Sequence, residues 1–252
     1  MKTALITGAS SGFGAELAKQ LSAKGWRTIL AARRVDRLEE LAKSLPCESR
    51  IIPTDLGTFE GCKALFDAVA DEDIDLLINN AGFGYFGVFT ESSLEREMEM
   101  VDLNCKALHV LMKLFLKKMQ AKNSGTILNV ASVAAYLIGP LMASYYATKA
   151  YVLKLSLSVD AELRKSGSKV RVLVLCPGPA DTEFNDVAGV NVGIKGKSAE
   201  FIARCAIKGI ERGKSPINPG FLVKAGRIAA RIAPDRLAAD FCYNAQKSKA
   251  GK

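Results

Sequence analysis

Short apolar runs alternate along this chain with longer stretches whose apolar residues recur every three or four positions. The runs predict six β-strands, at residues 4–6, 28–31, 50–52, 76–78, 126–130 and 170–175. The stretches between them have the helical period, at residues 15–23, 37–43, 63–70 and 94–119. Because the strands are apolar throughout, without alternating polar residues, we expect both faces of their sheet to be buried under other elements. The pattern predicts an α/β fold, a doubly wound parallel sheet with helices on both faces.

The domain organisation follows from how evenly this pattern runs. The 252 residues suit a single domain, residues 1–252, because no linker or repeat interrupts them. Weak periodicity and a Gly- and Val-rich composition predict a mobile loop at residues 186–197. We predict a substrate loop and helix at residues 183–213, followed by a basic C-terminal tail at residues 219–252.

Composition excludes several classes of protein. No apolar run approaches the ~18 residues of a membrane-spanning helix, and a strand that begins near residue 3 leaves no room for a signal peptide. The six cysteines include no CxxC pair, which is typical of reduced thiols, so we expect a cytoplasmic protein. A single histidine, His109, argues against a zinc site or a Ser-His-Asp triad, and we predict no metal.

The positive charge of the chain is concentrated near its C-terminus. Of the net charge of +9, most lies in residues 201–252, which hold eleven Lys or Arg against three acidic residues. No aromatic residues are interleaved with these charges, so we predict no nucleic-acid binding.

A glycine-rich turn follows the first strand. Gly8 permits a tight reversal, Gly12 lets the main chain approach a pyrophosphate, and Gly14 allows the next helix to pack closely. The free N–H groups at the helix start would face anionic phosphates. A plain tight turn is the alternative. The predicted nucleotide-binding residues of this segment are Gly8, Ser10, Ser11, Gly12, Phe13 and Gly14.

The end of the second strand indicates which nucleotide is bound. A site for NAD places a carboxylate there to hold the ribose 2′-hydroxyl. This chain has Ala32 followed by Arg33 and Arg34. Guanidinium groups suit a phosphate, so we predict NADP(H), the alternative being two ordinary solvated charges.

Further groups of residues follow the later strands in order: Asp55 with Leu56, Asn80-Ala81-Gly82, Ser132, Tyr145 with Lys149, and Pro177-Gly178 with Thr182. The glycine turn, the NNAG sequence, a serine thirteen residues before a tyrosine, YxxxK and PG with a threonine form one ordered set. Over residues 3–182 this set resembles the short-chain dehydrogenase/reductase family. The resemblance implies a Rossmann-like fold of about seven strands, with a last strand at residues 215–218. It also implies an NADP-dependent oxidoreductase that interconverts a ketone or aldehyde and an alcohol.

The resemblance implies a role for each catalytic candidate. Tyr145 is the acid/base, Ser132 bonds the substrate oxygen, Lys149 also binds the nicotinamide ribose, and Asn104 supports a proton relay. Tyr145 and Lys149 share a helix face. The ammonium, with the positive charge of the oxidised nicotinamide, should lower the pKa of the phenol from its usual ~10. Tyr146 also lies on the face of Lys149, and is the alternative acid/base. Pro177 and Gly178 would wall the nicotinamide, with Thr182 bonding its carboxamide or a phosphate.

The loops expected around the substrate are largely apolar. Leu137, Met142 and Phe184 are the predicted substrate contacts, beside Ser132 and Tyr145, and part of the wider apolar set must simply be core. An apolar lining suits a steroid, an acyl chain or an aromatic ketone. A non-catalytic NADP(H)-binding sensor that acts through its basic tail is the alternative function.

The tail contains an amphipathic pattern at residues 221–232. Lys224, Arg227 and Arg231 recur on one side, and apolar residues lie largely on the other. Such a helix packs on its own domain or on a partner subunit, or lies on an anionic membrane surface. The resemblance implies a homodimer or homotetramer.

Overall fold

Six parallel strands form one sheet at the centre of the protein, in the order β3-β2-β1-β4-β5-β6. The computed structural model describes residues 1–180, 182–184, 188–189 and 196–250. The strands are β1 Thr3–Thr7, β2 Arg27–Ala32, β3 Ser49–Pro53, β4 Leu76–Asn79, β5 Thr126–Val130 and β6 Arg171–Leu175. The predicted doubly wound parallel sheet with helices on both faces, a Rossmann-like fold, is therefore confirmed, and each of the first six predicted strands lies within two residues of its observed bounds.

The expected count of about seven strands differs from the six observed. Ile217 pairs with the edge of β6 as an isolated bridge, its N–H 2.8 Å from Val174 O and its carbonyl 2.8 Å from Cys176 N. The pairing stops there because the Val174 N–H donates to the Ser215 side-chain hydroxyl in place of a backbone carbonyl. The next residue that would turn an N–H toward β6 is Pro219, which has none to donate. One residue therefore takes the place of a seventh strand.

Helices cover the sheet. They are α1 Gly12–Ala23, α2 Val35–Ser44, α3 Phe59–Asp67, α4 Leu94–Val101, α5 Leu108–Ala121, α6 Ala143–Lys165, α7 Ala199–Glu211, α8 Phe221–Ile232 and α9 Asp235–Ala250. Hydroxyl groups of Thr58, Ser93 and Ser198 cap the starts of α3, α4 and α7 by accepting hydrogen bonds from backbone N–H groups. None of the helices in the described part of the chain is long and apolar enough to cross a membrane.

Adjacent residues of each strand serve two separate cores. Leu5 and Ile6 are fully buried neighbours in β1 that face opposite sides of the sheet. Ile6 packs with residues of α1 and α7, such as Leu17 and Ala206. Leu5 packs on the other side with residues of α3 and α5, among them Phe115. This two-sided burial explains why the strands are apolar throughout.

The helix predicted over residues 94–119 is not continuous. One turn of π-helix, Asp102–Ala107, separates α4 from α5. A π-turn inserts an extra residue per turn and is frequent at functional sites. The candidate Asn104 lies within this turn. The chain therefore changes from α-helix to π-turn at the position where the resemblance places a functional residue.

Two regions that the sequence singled out lie near the C-terminus. The predicted mobile loop 186–197 lies outside the described residues, apart from Ala188, Gly189, Gly196 and Lys197. The predicted basic tail contains α8 and α9.

Candidate active site

A cavity of about 690 Å³ opens at the carboxyl edge of the sheet, where the ends of all six parallel strands meet. Most of the site residues predicted from the sequence line it. They are Gly8, Ser10, Ser11, Gly12, Phe13, Arg33, Arg34, Asp55, Leu56, Asn80, Ala81, Gly82, Ser132, Met142, Tyr145, Lys149, Pro177, Gly178, Thr182 and Phe184. The three other predicted residues, Gly14, Asn104 and Leu137, are not part of this lining.

The glycine turn is built so that its positions tolerate no side chain. Gly8 and Gly12 have φ angles of 64° and 53°, in the left-handed region that favours glycine. A Cβ at Gly14 would lie 2.3 Å from the Gly8 carbonyl oxygen, and one at Gly8 would lie 2.9 Å from the Ala81 Cα. Gly14 therefore packs behind the turn and does not face the cavity, as its role in close packing requires.

Side-chain hydrogen bonds tie this turn to the NNAG segment after β4. The Asn80 amide group donates to the carbonyl oxygens of Thr7 at 3.0 Å and Gly8 at 3.2 Å. The Thr7 hydroxyl accepts from the backbone N–H groups of Asn80 and Ala81 and donates to Ile78. Thr7 therefore holds the two segments together, a role that only the structure reveals.

Arginines gather beside the glycine turn. Arg34 donates to the hydroxyl of Ser11 at 2.8 Å and to that of Ser10 at 3.1 Å, and pairs with Glu183 at 3.0 Å. Arg37 pairs with the same carboxylate. Hydrogen bonds from Arg37 and Arg34 hold the pKa of Glu183 below its usual value. The sequence analysis did not identify Arg37 or Glu183, because they meet only when the chain folds.

This corner of the cavity carries groups that can bind phosphate. Ala32, at the end of β2, contributes no carboxylate, and the exposed Arg33 lines the same wall. The backbone N–H groups at the start of α1 add a site for anions. The residues present therefore fit the phosphates of NADP(H), with Glu183 as the competing carboxylate.

Ser132, Tyr145 and Lys149 come together on the opposite wall. Ser132 begins a 3-10 turn, Val133–Tyr136, where its hydroxyl accepts from Ala134 N at 3.1 Å. Tyr145 and Lys149 are buried on one face of α6. The Lys149 ammonium lies 5.9 Å from the centre of the Tyr145 ring and donates to Val130 O at 3.0 Å.

Burial dominates the ionisation of this pair. It raises the pKa of the Tyr145 phenol well above its usual value, and a hydrogen bond with Ser132 opposes the shift. It also lowers the pKa of Lys149 to about 8. The neighbouring phenol of Tyr146 adds to the rise in the pKa of Tyr145. At neutral pH, Tyr145 therefore carries its proton. The lowering of this pKa by Lys149 and the oxidised nicotinamide stays a prediction.

Asn104 lies behind the cavity wall, fully buried. Its amide group donates to Phe83 O at 2.9 Å and to the Thr148 hydroxyl at 3.1 Å, and its oxygen accepts from Phe83 N at 3.1 Å. A Cβ on Gly82 would lie 2.6 Å from the Asn104 oxygen and 3.5 Å from the Lys149 nitrogen. Asn104 thus fixes the backbone beside Lys149, and its part in a proton relay stays a prediction.

The far end of the cavity is assembled from distant segments. The Phe184 ring centre lies 5.4 Å from that of Tyr145, and Met142 lies at the start of α6. The neighbouring Tyr146 hydroxyl accepts a hydrogen bond from the Gln246 amide at 2.7 Å. Gln246 is buried, lies in α9, and lines the cavity. Nothing in the sequence pattern predicts a residue of the tail at this position.

A further part of the cavity lining comes from α4 and the π-turn. Arg96, Glu99, Asp102 and Leu103 line the cavity, and the Arg96 guanidinium lies 4.1 Å from the centre of the Phe83 ring. None of the four was predicted, since a charged stretch of helix is usually a solvated face.

Comparisons with known proteins agree with this geometry. The family model described as short chain dehydrogenase matches residues 2–191. An uncharacterised oxidoreductase of Staphylococcus haemolyticus is 36% identical over 188 residues, which cover 73% of this chain and 80% of that protein. A probable NADP-dependent dehydrogenase of Haemophilus influenzae is 33% identical over 189 residues, covering 73% and 74%.

Two solved structures share the whole architecture. A short-chain dehydrogenase from Sphingobium yanoikuyae in complex with NADPH has a TM-score of 0.82 and 29% identity, covering 96% of this chain and 100% of that one. A short-chain dehydrogenase/reductase from Burkholderia phymatum in complex with NAD has a TM-score of 0.83 and 26% identity, covering 92% of each chain. The fold, the cavity and these matches together place this chain in the short-chain dehydrogenase/reductase family, among its nucleotide-dependent oxidoreductases.

Proposed function

We propose that this oxidoreductase uses NADP(H) to interconvert a ketone or aldehyde and an alcohol on an apolar substrate. The observation that carries the proposal is one cavity with Ser132, Tyr145 and Lys149 on one wall and the arginine corner on the other. A reacting carbonyl beside Tyr145 therefore lies in the same cavity as the proposed phosphate site.

The preference for NADP(H) rests on the arginine corner. Arg33 and Arg34 would bind the 2′-phosphate, the glycine turn the pyrophosphate, and Lys149 the nicotinamide ribose, with Asp55, Leu56 and Thr182 as further contacts. The names of the Haemophilus and Sphingobium proteins support this preference, and the NAD complex of the Burkholderia protein is the counterexample in the family.

The residues of the chain supply orientation and a proton. When bound, NADP(H) supplies the hydride. Ser132 would hold the substrate oxygen against Tyr145, whose hydroxyl donates its proton as the carbonyl becomes an alcohol. The raised pKa of Tyr145 leaves its proton in place at neutral pH, as donation to a carbonyl requires. A protonated Lys149 would stabilise the phenolate that remains.

The substrate end favours an apolar molecule. Phe184, Met142 and Tyr146 contribute carbon surface, and Gln246 together with the Tyr146 hydroxyl forms a small polar spot within it. Steroid ketones, acyl chains and aromatic ketones fit such a lining, whereas a sugar would leave many hydroxyls without partners. Leu137 lies outside the lining and is a weaker candidate for a substrate contact.

Two further properties stay predictions. A homodimer or homotetramer is expected from the family alone. A cytoplasmic location is supported by the six cysteines, all free thiols in the described structure.

The test is the consumption of NADPH against a panel of steroid ketones, 3-oxoacyl esters, aromatic ketones and sugars. Turnover confined to an apolar class, and absent from a Tyr145→Phe variant, would support the proposal. Tight NADPH binding without any turnover would overturn it in favour of the sensor. Turnover of the sugars alone would contradict the apolar substrate.

A further inference from the structure

Helix α8 turns its apolar side away from the protein. Its packing side is formed by Val223, whose Cγ2 would lie 3.0 Å from a Cβ at Gly178, and by Arg227, whose guanidinium lies 5.7 Å from the centre of the Tyr136 ring. The large apolar residues lie on the opposite side, where Phe221 is 81% exposed, Ile228 62% and Ile232 77%. Arg227 packs inward beside Val223, while the three large apolar residues face outward, which an ordinary surface helix avoids.

These exposed residues form one stripe. Positions 221, 225, 228 and 232 are spaced by four, three and four residues, which places them on a single line along the helix. Lys224 and Arg231, both exposed and seven residues apart, lie along one flank of that line. No ion pair among the described residues involves either of them.

The next helix also exposes large apolar residues. Leu237 is 64% exposed and Phe241, one turn later in α9, is 74% exposed. Single exposed apolar residues are common on proteins, but five large ones on two consecutive helices need a partner. We call Phe221, Ile228, Ile232, Leu237 and Phe241 the tail face.

The charge around the tail face distinguishes between two kinds of partner, a second copy of the chain and an anionic lipid surface. Residues 219–252 hold seven Lys or Arg against two Asp. A second copy of the chain, joined by a two-fold axis, would set this positive surface against itself. An anionic lipid surface complements it, while the acyl region accepts the apolar stripe.

We propose that the tail face binds the surface of an anionic membrane. The helices would lie in the plane of the interface, with Phe221, Ile228 and Ile232 in the lipid and Lys224 and Arg231 at the headgroups. The packing side of the same helices contacts the active-site wall, through Val223 at Gly178 and Gln246 at Tyr146. The bound protein would therefore hold the substrate end of its cavity about one helix diameter, ~10 Å, from the lipid.

The experiment is cosedimentation of the full chain with vesicles, one set of phosphatidylcholine with phosphatidylglycerol and one of phosphatidylcholine alone. We expect binding to the anionic set, weakened by salt. Ile228→Ser/Ile232→Ser should reduce that binding about tenfold. Lys224→Gln/Arg231→Gln should reduce it as well and remove most of its salt dependence.

The matched control is Leu94→Ser/Met98→Ser, an exposed apolar pair with the same four-residue spacing on α4. It should bind vesicles like the parent chain. Circular dichroism and NADPH binding verify that each variant is folded. Turnover is not a readout here, so failure of this proposal and failure of the proposed reaction are separate results.

Two results would overturn the proposal. One is vesicle binding that survives Ile228→Ser/Ile232→Ser. The other is a parent chain that does not sediment with anionic vesicles at low salt. If that parent chain also has a higher mass in sedimentation velocity than Ile228→Ser/Ile232→Ser, the tail face joins two copies of the chain.

Discussion

The two ends of the cavity are built in different ways. The nucleotide end is built around a turn of backbone, where Gly8 and Gly14 pack against the NNAG segment within the first 82 residues. The substrate end is made of side chains from separate parts of the chain, and Gln246 reaches Tyr146 across one hundred residues.

The difference shows which kind of site local sequence controls. A turn with positive φ angles, and with close contacts where a side chain would clash, admits only glycine, so its sequence identifies it. A wall of side chains accepts many residues of similar size and polarity. We therefore expect substitutions at the two ends to have separable effects, with Tyr145 and Lys149 between them.

The largest expected effect comes from Tyr145, which belongs to neither binding end alone. Removing the hydroxyl in Tyr145→Phe removes the proton donor, and turnover should fall roughly 100- to 10,000-fold. NADPH affinity, measured by fluorescence titration, should change little. Tyr146→Phe is the matched control, since the Tyr146 hydroxyl already bonds to Gln246, and it should keep most of the activity. The reverse result would assign the acid/base role to Tyr146.

Arg33→Ala should affect only the nucleotide end. Loss of a charged hydrogen bond to a phosphate costs about 1.5–3 kcal/mol, so NADPH should bind roughly 10- to 100-fold more weakly. NADH, which has no 2′-phosphate, should bind as before, and the KM of the substrate should not move. Equal losses for NADPH and NADH would show that Arg33 acts on something other than the phosphate.

The pH dependence of carbonyl reduction tests Tyr145 and Lys149, which lie between the two ends of the cavity. Burial lowers the pKa of Lys149 to about 8, so its ammonium is present below that pH and lost above it. Tyr145, whose pKa is raised, keeps its proton throughout this range. Carbonyl reduction should therefore be level at neutral pH and fall about tenfold per pH unit well above pH 8.

Lys149→Arg is the control for this fall in reduction above pH 8. Arginine stays charged at every accessible pH, so any remaining reduction should no longer fall above about pH 8. If the reduction rate of the variant still falls above about pH 8, the fall comes from the titration of another group.

Gln246→Leu should have the smallest effect, restricted to the substrate end. It leaves the largely buried Tyr146 hydroxyl without its hydrogen bond, a cost of about 1 kcal/mol, and should raise the KM of the substrate roughly fivefold. NADPH affinity should be unchanged. Gln120→Leu, an exposed glutamine on α5, is the matched control and should behave like the parent. A loss of NADPH affinity in Gln246→Leu would show that the two ends are coupled.

The elements predicted best are those with a local physical cause. Strands buried on both faces must be apolar throughout, so β1 to β6 could be located from the sequence. The predicted seventh strand is wrong because the Ser215 hydroxyl accepts the Val174 N–H and Pro219 has no N–H to continue the pairing with β6. The pattern of hydrophobic residues does not report this hydrogen bonding. The break between α4 and α5 was missed because a π-turn keeps the apolar spacing of a helix nearly intact.

The sequence by itself determined the sheet, the glycine turn and the order of the candidate residues Ser132, Tyr145 and Lys149, because each depends on neighbours in the chain or on a spacing within one helix. Only the tertiary structure decided that Glu183 joins the arginines, that Gln246 enters the cavity, and that α8 turns its apolar stripe outward. These depend on which surfaces meet when distant helices pack. An amphipathic pattern defines two sides of a helix, but the packing of the whole chain selects the side that is buried.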